Sequence, residues 1–253
     1  MKIDAIQWQG VRVPFREPFV TSAGSLDARY SLLVRLHGDT GVTGVGEAPS
    51  DLYRGEPALK RLAAALRRLS TSLLGSTIDD LSRRAGQQLT GNPDVRTLRF
   101  ALETAWLDAL GQSRGIPLSN LLEGRPRSVP VNAVIATTSP ERASELAARA
   151  VAQGFKTLKL KVGGRPISRD EAALKAVRAA VGREVTLRLD ANRAWGVEEA
   201  MVNLRLLSAF DPEYIEEPIA SPDLSSLTQI RRYSPIPIAA DESLESPADA
   251  LRI

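Results

Sequence analysis

The chain has 253 residues, 43% hydrophobic and 25% charged, a composition typical of a globular protein with a sizeable core. It contains no cysteine and a single histidine, His37, which excludes disulfide scaffolds, cysteine-ligated metals and thiol nucleophiles and disfavours a Ser-His-Asp triad. The net charge of +3, without a run of basic residues, disfavours nucleic acid, and no apolar stretch approaches the ~20 residues of a membrane span. We therefore expect a cytoplasmic protein with neither nucleic acid nor membrane as partner.

The first half of the chain predicts a small sheet and several helices. Three segments have the composition of strands: 3–14, 30–37 and 42–48. The last two form a hairpin around a Gly-Asp-Thr-Gly turn, and a polar loop at 15–29 joins the first two. Three segments carry apolar residues at helical spacing: 57–74, 77–91 and 93–114. We predict an α+β domain over residues 1–125, made of a three-stranded sheet plus helices.

In the second half, strand-like and helix-like segments alternate about every 25 residues. The predicted strands are 131–135, 157–162, 185–190, 212–217 and 236–241. The predicted helices between them are 139–153, 168–181, 197–210 and 224–233. This alternation favours a parallel sheet with helical crossovers, either a βα barrel or an open doubly wound sheet. We predict a barrel domain over 126–253 that comprises its first five βα units.

Lysine is rare in this chain and is concentrated on one of these strands. Of 33 basic residues, 27 are arginine and six are lysine, and Lys156, Lys159 and Lys161 lie within one stretch of six residues. Lysine can lose its proton when it is desolvated or lies beside another cation, whereas arginine cannot. The cluster therefore indicates chemistry at this strand, and Lys159 and Lys161, two residues apart, share one of its faces.

Carboxylates end the three strands that follow. Asp190, Glu216 and Asp241 are separated by 26 and 25 residues, one βα unit each time, so they lie at equivalent heights on neighbouring strands. In a βα barrel this is the end where active sites form. Glu217 and Glu242 follow two of these carboxylates and point to the opposite face, so we interpret them as capping or loop residues.

Three inward carboxylates repel one another unless a cation lies between them. Oxygen ligands of this kind suit Mg²⁺, with Mn²⁺ as an alternative. A lysine opposite such a cation has a lowered pKa and can act as a base near neutral pH. The strand ends therefore predict a metal-assisted acid–base site.

Four motifs at these positions resemble the enolase superfamily and, within it, the muconate lactonizing enzyme subgroup. They are GFKTLKLKVG at 154–163, LRLDANRAW at 187–195, IEEP at 215–218 and ADES at 240–243. The N-terminal half is similar to that family's capping domain, through GVGEAP at 44–49 and LTGN at 89–92. The resemblance implies a capping domain followed by a modified TIM-type (β/α)₇β barrel.

The resemblance also implies roles for the residues. The implied Mg²⁺ ligands are Asp190, Glu216 and Asp241. Lys161 would remove a proton α to a substrate carboxylate, with an enediolate as intermediate, and Lys159 would lower the pKa of that base and help to hold the carboxylate. Asn192 is a further candidate for contacting the metal, its ligands or the substrate. The loops at 15–29 and 49–56 would choose the small-molecule substrate.

Several reactions occur in this subgroup. LRLDANRAW with IEEP and ADESL resembles o-succinylbenzoate synthases most, which implies a lyase that dehydrates its substrate in menaquinone biosynthesis. The alternatives are isomerases: a dipeptide epimerase or N-succinylamino acid racemase, and then a muconate cycloisomerase. Members of the family are often homo-oligomers, so a homo-oligomer is a possible assembly of this chain.

The family pattern extends further than this sequence. The family has eight barrel strands and a further lysine on the sixth, which would fall past residue 253, whereas five strands are countable here. We therefore expect a barrel that is incomplete at its C-terminus. A function of another class follows from this: a catalytically incomplete chain that only binds metal.

Overall fold

The structure, a computed structural model, describes residues 1–77, 80, 93–220, 224–244 and 246–252. The chain forms two compact units, one made of Met1–Arg16 with Leu26–Ser128 and the other of Glu17–Ser25 with Val129–Ile253. Most of the predicted helix at 77–91 and the LTGN motif lie outside the described residues. Among the helices that are described, none combines the length and apolar composition that crossing a membrane requires.

The first unit contains a three-stranded sheet in the order β1-β2-β3. Its strands are β1 (Ile3–Thr21), β2 (Gly24–Gly38) and β3 (Thr43–Pro49), and its helices are α1 (Gly55–Leu73), α2 (Pro93–Arg114) and α3 (Leu118–Leu121). The antiparallel β2–β3 hairpin and the helix over 93–114 are confirmed. The loop predicted at 15–29 is wrong, because β1 and β2 continue through it to a tight turn between Thr21 and Gly24.

The core of this unit follows from the alternation along β2. Leu32, Val34 and Leu36 are at most 1% exposed and pack with buried residues of α1 and α2. On β3, the sheet approaches α2 so closely that only glycine fits. A Cβ atom on Gly44 would lie 1.8 Å from the carbonyl oxygen of Ala105, and one on Gly46 would lie 1.9 Å from that of Ala101. The GVG motif therefore serves close packing of strand and helix.

We expect Gly46→Ala to lower the free energy of unfolding by about 1–3 kcal/mol, because the added methyl group overpacks the contact between β3 and α2. Urea denaturation measures the change. Val45→Ala is the matched control, since Val45 lies between the two glycines with 45% of its surface exposed. The control should stay within about 0.5 kcal/mol of the parent. Equal stability of Gly46→Ala and the parent protein would contradict this packing argument.

The second unit contains five parallel strands in sequence order, β4-β5-β6-β7-β8. They are β4 (Ala133–Ile135), β5 (Thr157–Lys161), β6 (Thr186–Asp190), β7 (Pro212–Glu216) and β8 (Ile238–Ala239). The helices that follow them are α4 (Pro140–Ala152), α5 (Ile167–Val181), α6 (Val197–Leu207), α7 (Leu224–Tyr233) and α8 (Pro247–Ala250). A doubly wound sheet reverses its strand order at a switch point. The sequential order is that of a βα barrel, which confirms the predicted fold class.

The barrel strands bury one face against the helices and turn the other face away, as the alternation of their side chains predicts. Leu158, Leu160, Leu187 and Leu189 are at most 3% exposed and form the core with the helices. Residues between and beyond these leucines face the other way, where the ionisable side chains lie. The apolar alternation therefore determines which side chains reach the interior end of the strands.

The hairpin tip Glu17–Ser25 is tied to the barrel strands of its own unit. The backbone N–H of Val20 donates to the carbonyl oxygen of Ala136 at 3.4 Å, and the hydroxyl of Ser22 donates to the carbonyl oxygen of Asn192 at 3.0 Å. These bonds place residues from early in the chain beside the carboxyl ends of β4 and β6.

Candidate active site

Strand register brings the predicted site residues together. In the β5–β6 ladder Lys161 lies opposite Asp190, and in the β6–β7 ladder Asp190 lies opposite Glu216. Glu216 in turn pairs with Ala239, two residues before Asp241. Because neighbouring parallel strands end at the same edge, a lysine and carboxylates that are far apart in sequence share one small region.

Both lysines of β5 are bound by carboxylates. Lys159 Nζ donates to the two oxygens of Glu216 at 2.8 and 2.7 Å, and it lies 2.9 Å from Asp190 Oδ2. Lys161 Nζ donates to Asp190 Oδ2 at 2.6 Å and to Asn192 Oδ1 at 2.8 Å. The side chains are 17% exposed for Lys159 and 14% for Lys161, whereas Asp190 is 1% exposed. The charges are therefore largely shielded from water, which strengthens their interaction.

The pKa shifts follow from this arrangement. Burial lowers the pKa of Lys159, but hydrogen bonds to Glu216 and Asp190 outweigh it and raise that pKa above its ordinary value. Burial also raises the pKa of Asp190, and here the hydrogen bonds from Lys161 and Lys159 prevail and lower it. Carboxylates are thus the charged groups that Lys159 contacts.

Glu216 is the carboxylate with a raised pKa. Burial is the largest cause, and repulsion from Asp190 and Asp241 adds to it against the opposing hydrogen bond from Lys159. Asp190 and Asp241 are thus both close enough to Glu216 to repel its charge. Their oxygens are the donor type that a hard divalent cation prefers, so the residues fit Mg²⁺. Nevertheless, within the described residues no three His, Cys, Asp or Glu side chains are arranged as a metal-binding group.

Asn192 lies between Lys161 and Glu242. Its backbone is left-handed, with φ of 42°, a conformation that asparagine tolerates better than most residues. Its Nδ2 group donates to Glu242 Oε1 at 3.0 Å, while its Oδ1 accepts from Lys161. The interpretation of Glu242 as a loop residue facing away is therefore wrong. Its face was assigned from the alternation of side chains along a strand, but β8 ends at Ala239. The turn that follows redirects the Glu242 side chain.

Glu217 is also more than a solvated loop residue. It is fully buried and accepts hydrogen bonds from the backbone N–H groups of Asp241 at 2.8 Å and Ser243 at 2.6 Å, and from the Ser243 hydroxyl at 2.9 Å. These bonds determine the path of the loop that carries Asp241. The sequence suggested a capping or loop residue here, but it could not identify which backbone groups Glu217 binds.

A buried ion pair supports the end of β5. Asp170, which is fully buried, accepts from Arg165 Nε at 2.6 Å and from the backbone N–H of Gly163 at 2.9 Å. Arg165 also donates to the carbonyl oxygens of Thr137 at 2.9 Å and Lys161 at 3.3 Å. The pair therefore joins the loops after β4 and β5 directly beside Lys161. Neither residue lies at a strand end, so the strand-end pattern in the sequence did not identify this pair.

A cavity of about 210 Å³ opens beside Lys161 within the second unit. Its walls come from the hairpin tip and from the loops after β4 and β5. The lining residues are Val20, Thr21, Ser22, Gly24, Ser25, Thr138, Lys161, Val162, Gly163, Gly164 and Arg165. The side chain of Lys161 is therefore part of the wall of an open cavity.

The chain combines an α+β domain with βα units of a barrel, and lysines and carboxylates lie at the ends of the barrel strands. This combination is typical of a class of barrel enzymes with an acid–base site at the strand ends. Residues 5–123 match the family model described as mandelate racemase / muconate lactonizing enzyme, N-terminal domain. Residues 142–253 match the model described as enolase C-terminal domain-like. The chain belongs to the enolase superfamily, in its muconate lactonizing enzyme subgroup.

Known relatives span several reactions. The chain is 32% identical over 259 residues to the L-Ala-D/L-Glu epimerase of Bacillus subtilis, covering 100% of this chain and 70% of that protein. It is 41% identical to the o-succinylbenzoate synthase of Thermobifida fusca, but over 128 residues, 50% of this chain and 39% of that protein. The crystal structure of a dipeptide epimerase from Cytophaga hutchinsonii, complexed with Mg and the dipeptide D-Ala-L-Val, superposes with a TM-score of 0.90 at 28% identity. The superposition covers 68% of that chain and 100% of this one.

Proposed function

We propose that this protein is a Mg²⁺-dependent isomerase that removes the proton α to the carboxylate of a dipeptide or N-acylated amino acid. The observation that carries the proposal is the placement of Lys161. Its side chain lines a cavity of about 210 Å³, and its amine is held by Asp190 and Asn192. A shielded amine beside such a cavity is a suitable general base for an α-proton.

Each charged residue of the site has a role in this proposal. The carboxylates that would hold Mg²⁺ are Asp190, Glu216 and Asp241. When bound, Mg²⁺ would supply positive charge to the substrate carboxylate, which makes the neighbouring C–H more acidic. Lys161 takes the proton at Nζ, and inversion is completed when an acid on the opposite face of the α-carbon delivers a proton there. Lys159 adds a second positive charge on the same face of β5 as Lys161. Asn192 accepts a hydrogen bond from the base and thereby orients it.

Isomerisation replaces dehydration as the preferred reaction. The o-succinylbenzoate synthase that the sequence motifs favoured matches over half of the chain, whereas the dipeptide epimerase match extends over all of it. Dehydration stays the second candidate, because that half-length match has the higher identity, 41% against 32%. Both reactions begin with removal of an α-proton, so the site chemistry is shared.

The cavity beside Lys161 favours an uncharged substrate side chain. The hairpin tip contributes hydroxyl, aliphatic and glycine surfaces, and the guanidinium of Arg165 is bound to Asp170 and to two carbonyl oxygens. Among the described residues of the cavity wall, the proposed base and Arg165 are the cations, and Arg165 is already paired. We therefore expect a dipeptide with a small uncharged residue to react with a kcat/KM at least about tenfold above that of one ending in glutamate.

Solvent exchange tests the proposal directly. Mg²⁺-loaded protein is incubated in D₂O with neutral dipeptides, L-Ala-L-Glu, N-succinylamino acids and the o-succinylbenzoate precursor, and deuterium at the α-carbon is followed by NMR. Exchange on dipeptides or N-acylated amino acids supports an isomerase, whereas loss of water from the precursor alone would establish dehydration instead. Mg²⁺ binding without exchange or turnover on any substrate would indicate a chain that only binds metal.

A further inference from the structure

The loop after β8 supplies a carboxylate that the proposed reaction has not used. Glu242 Oε1 accepts a hydrogen bond from Asn192 Nδ2 at 3.0 Å. The other oxygen, Oε2, is buried and accepts no hydrogen bond from the described residues. A carboxylate oxygen buried in this way is costly, so its presence calls for a function.

The bond from Asn192 to Glu242 determines which way the amide points. An asparagine side chain has an acceptor at Oδ1 and donors at Nδ2, whereas an ionised carboxylate can only accept. The Nδ2 group must therefore face Glu242, and Oδ1 must face Lys161, as observed at 2.8 Å. If the amide were reversed, Nδ2 would face the lysine amine and could not accept a hydrogen bond from it.

The backbone of Asn192 is held in place, so the orientation of its side-chain amide is the part that can still change. Its N–H donates to Asp190 Oδ1 at 3.0 Å, and its carbonyl oxygen accepts from the Ser22 hydroxyl at 3.0 Å. With the backbone held on both sides, the amide can still turn about its side-chain bonds. A protonated Lys161, which can only donate, also excludes the reversed amide, whereas a neutral amine has a lone pair and tolerates both orientations. Glu242 therefore holds the amide in place when Lys161 is neutral, the state in which it acts as a base.

The orientation matters for the base. Lys161 Nζ has two acceptors, Asp190 Oδ2 at 2.6 Å and Asn192 Oδ1 at 2.8 Å. A neutral lysine amine has two hydrogens and one lone pair. When both hydrogens are bound by these acceptors, the lone pair occupies the remaining direction of the amine, in a side chain that lines the cavity.

We infer that Glu242 is a positioning residue: through the amide of Asn192 it orients the amine of Lys161 for proton transfer. The inference rests on the proposed function, in which Lys161 is the base. Glu242 itself contacts neither the substrate nor the transferred proton. It acts on the rate of proton removal and not on the binding of substrate or metal.

Glu242→Gln tests this with little change of shape, because glutamine can present either a donor or an acceptor and so permits both amide orientations. We expect kcat for α-deuterium exchange to fall at least about tenfold, with KM and Mg²⁺ affinity within about twofold of the parent. Glu242→Asp, which restores an acceptor-only group, should recover part of the loss. The matched control, Glu199→Gln on the exposed side of α6, should exchange at the parental rate.

Two further measurements examine the path through Asn192. The double variant Asn192→Ala with Glu242→Gln should be no slower than Asn192→Ala alone, because Glu242 acts only through that amide. In ¹⁵N-labelled protein without substrate, the Asn192 side-chain NH₂ protons should exchange with solvent at least about tenfold faster in Glu242→Ala than in the parent.

The outcomes separate the two proposals. Parental exchange activity in Glu242→Gln, multiplicative losses in the double variant, or unchanged exchange of the Asn192 amide protons would each overturn the positioning role and leave the proposed function intact. A parallel loss of Mg²⁺ affinity would also overturn it, since Glu242 would then act on the metal. Absence of exchange in the parent protein on every substrate would overturn the proposed function and the positioning role together.

Discussion

Lys161→Ala should reduce α-deuterium exchange by about 10²–10⁴-fold, because the variant lacks the amine that takes the proton. The side chain of Lys161 lines the cavity, and its amine is held in place by two acceptors, an arrangement that a freely moving water molecule does not reproduce. Deuterium incorporation into a dipeptide in D₂O, followed by NMR, measures the loss.

Two variants accompany this experiment. Lys161→Arg keeps the positive charge but cannot give up its proton, so it should lose as much exchange as the alanine variant if proton transfer is the role of the residue. Lys175→Ala, on the exposed side of α5, should be unaffected. Exchange retained in Lys161→Ala would exclude Lys161 as the base, and activity restored by arginine would indicate a purely electrostatic role.

Asp190→Asn should weaken Mg²⁺ binding at least about tenfold, because the substitution removes the charge of one proposed ligand while preserving its shape. Isothermal calorimetry measures the affinity. Asp190 is 1% exposed and lies between Lys161 and Glu216 in the strand register, so its charge acts on both of these neighbours.

Glu213→Gln is the control for that experiment. Glu213 lies on the same strand as Glu216, but its side chain is 47% exposed and pairs with Arg188. Its substitution should leave Mg²⁺ affinity within about twofold of the parent. If Asp190→Asn binds Mg²⁺ as tightly as the parent, Asp190 is not a ligand, and the cation must be held elsewhere.

Short sequence motifs predicted the chemistry of the subgroup but not the particular reaction. The stretch from Leu187 to Trp195 lies on β6 and the loop after it, which carry Asp190 and Asn192. These segments carry residues for the chemistry common to the subgroup. The motifs favoured o-succinylbenzoate synthase, but they do not include the cavity walls that would contact a substrate. The cavity walls at the hairpin tip distinguish substrates, and their composition follows no pattern that periodicity can detect.

Local alternation in the amino-acid sequence by itself determined much of this protein. The leucines of β5 and β6 define the buried face, so the opposite face of Lys159 and Lys161 follows from a period of two residues. The regular spacing of strand-end carboxylates then placed Asp190 and Glu216 on neighbouring strands, and the register confirms that adjacency. Absence of cysteine and the single histidine limited any metal site to oxygen ligands and favoured lysine as the base.

Only the tertiary structure decided what happens beyond the strand ends. Asn192, Arg193 and Glu217 have positive φ, so the chain turns there and the two-residue alternation no longer predicts direction. Glu217 caps the loop of Asp241, as its interpretation as a capping residue allows, although the sequence did not identify that loop. Glu242 was assigned to the wrong face, because the chain turns after β8 and its side chain binds Asn192. The hairpin tip and the pair of Arg165 with Asp170 also depend on contacts between separate loops. Sequence periodicity describes the strands, whereas packing between loops places the groups that orient the base.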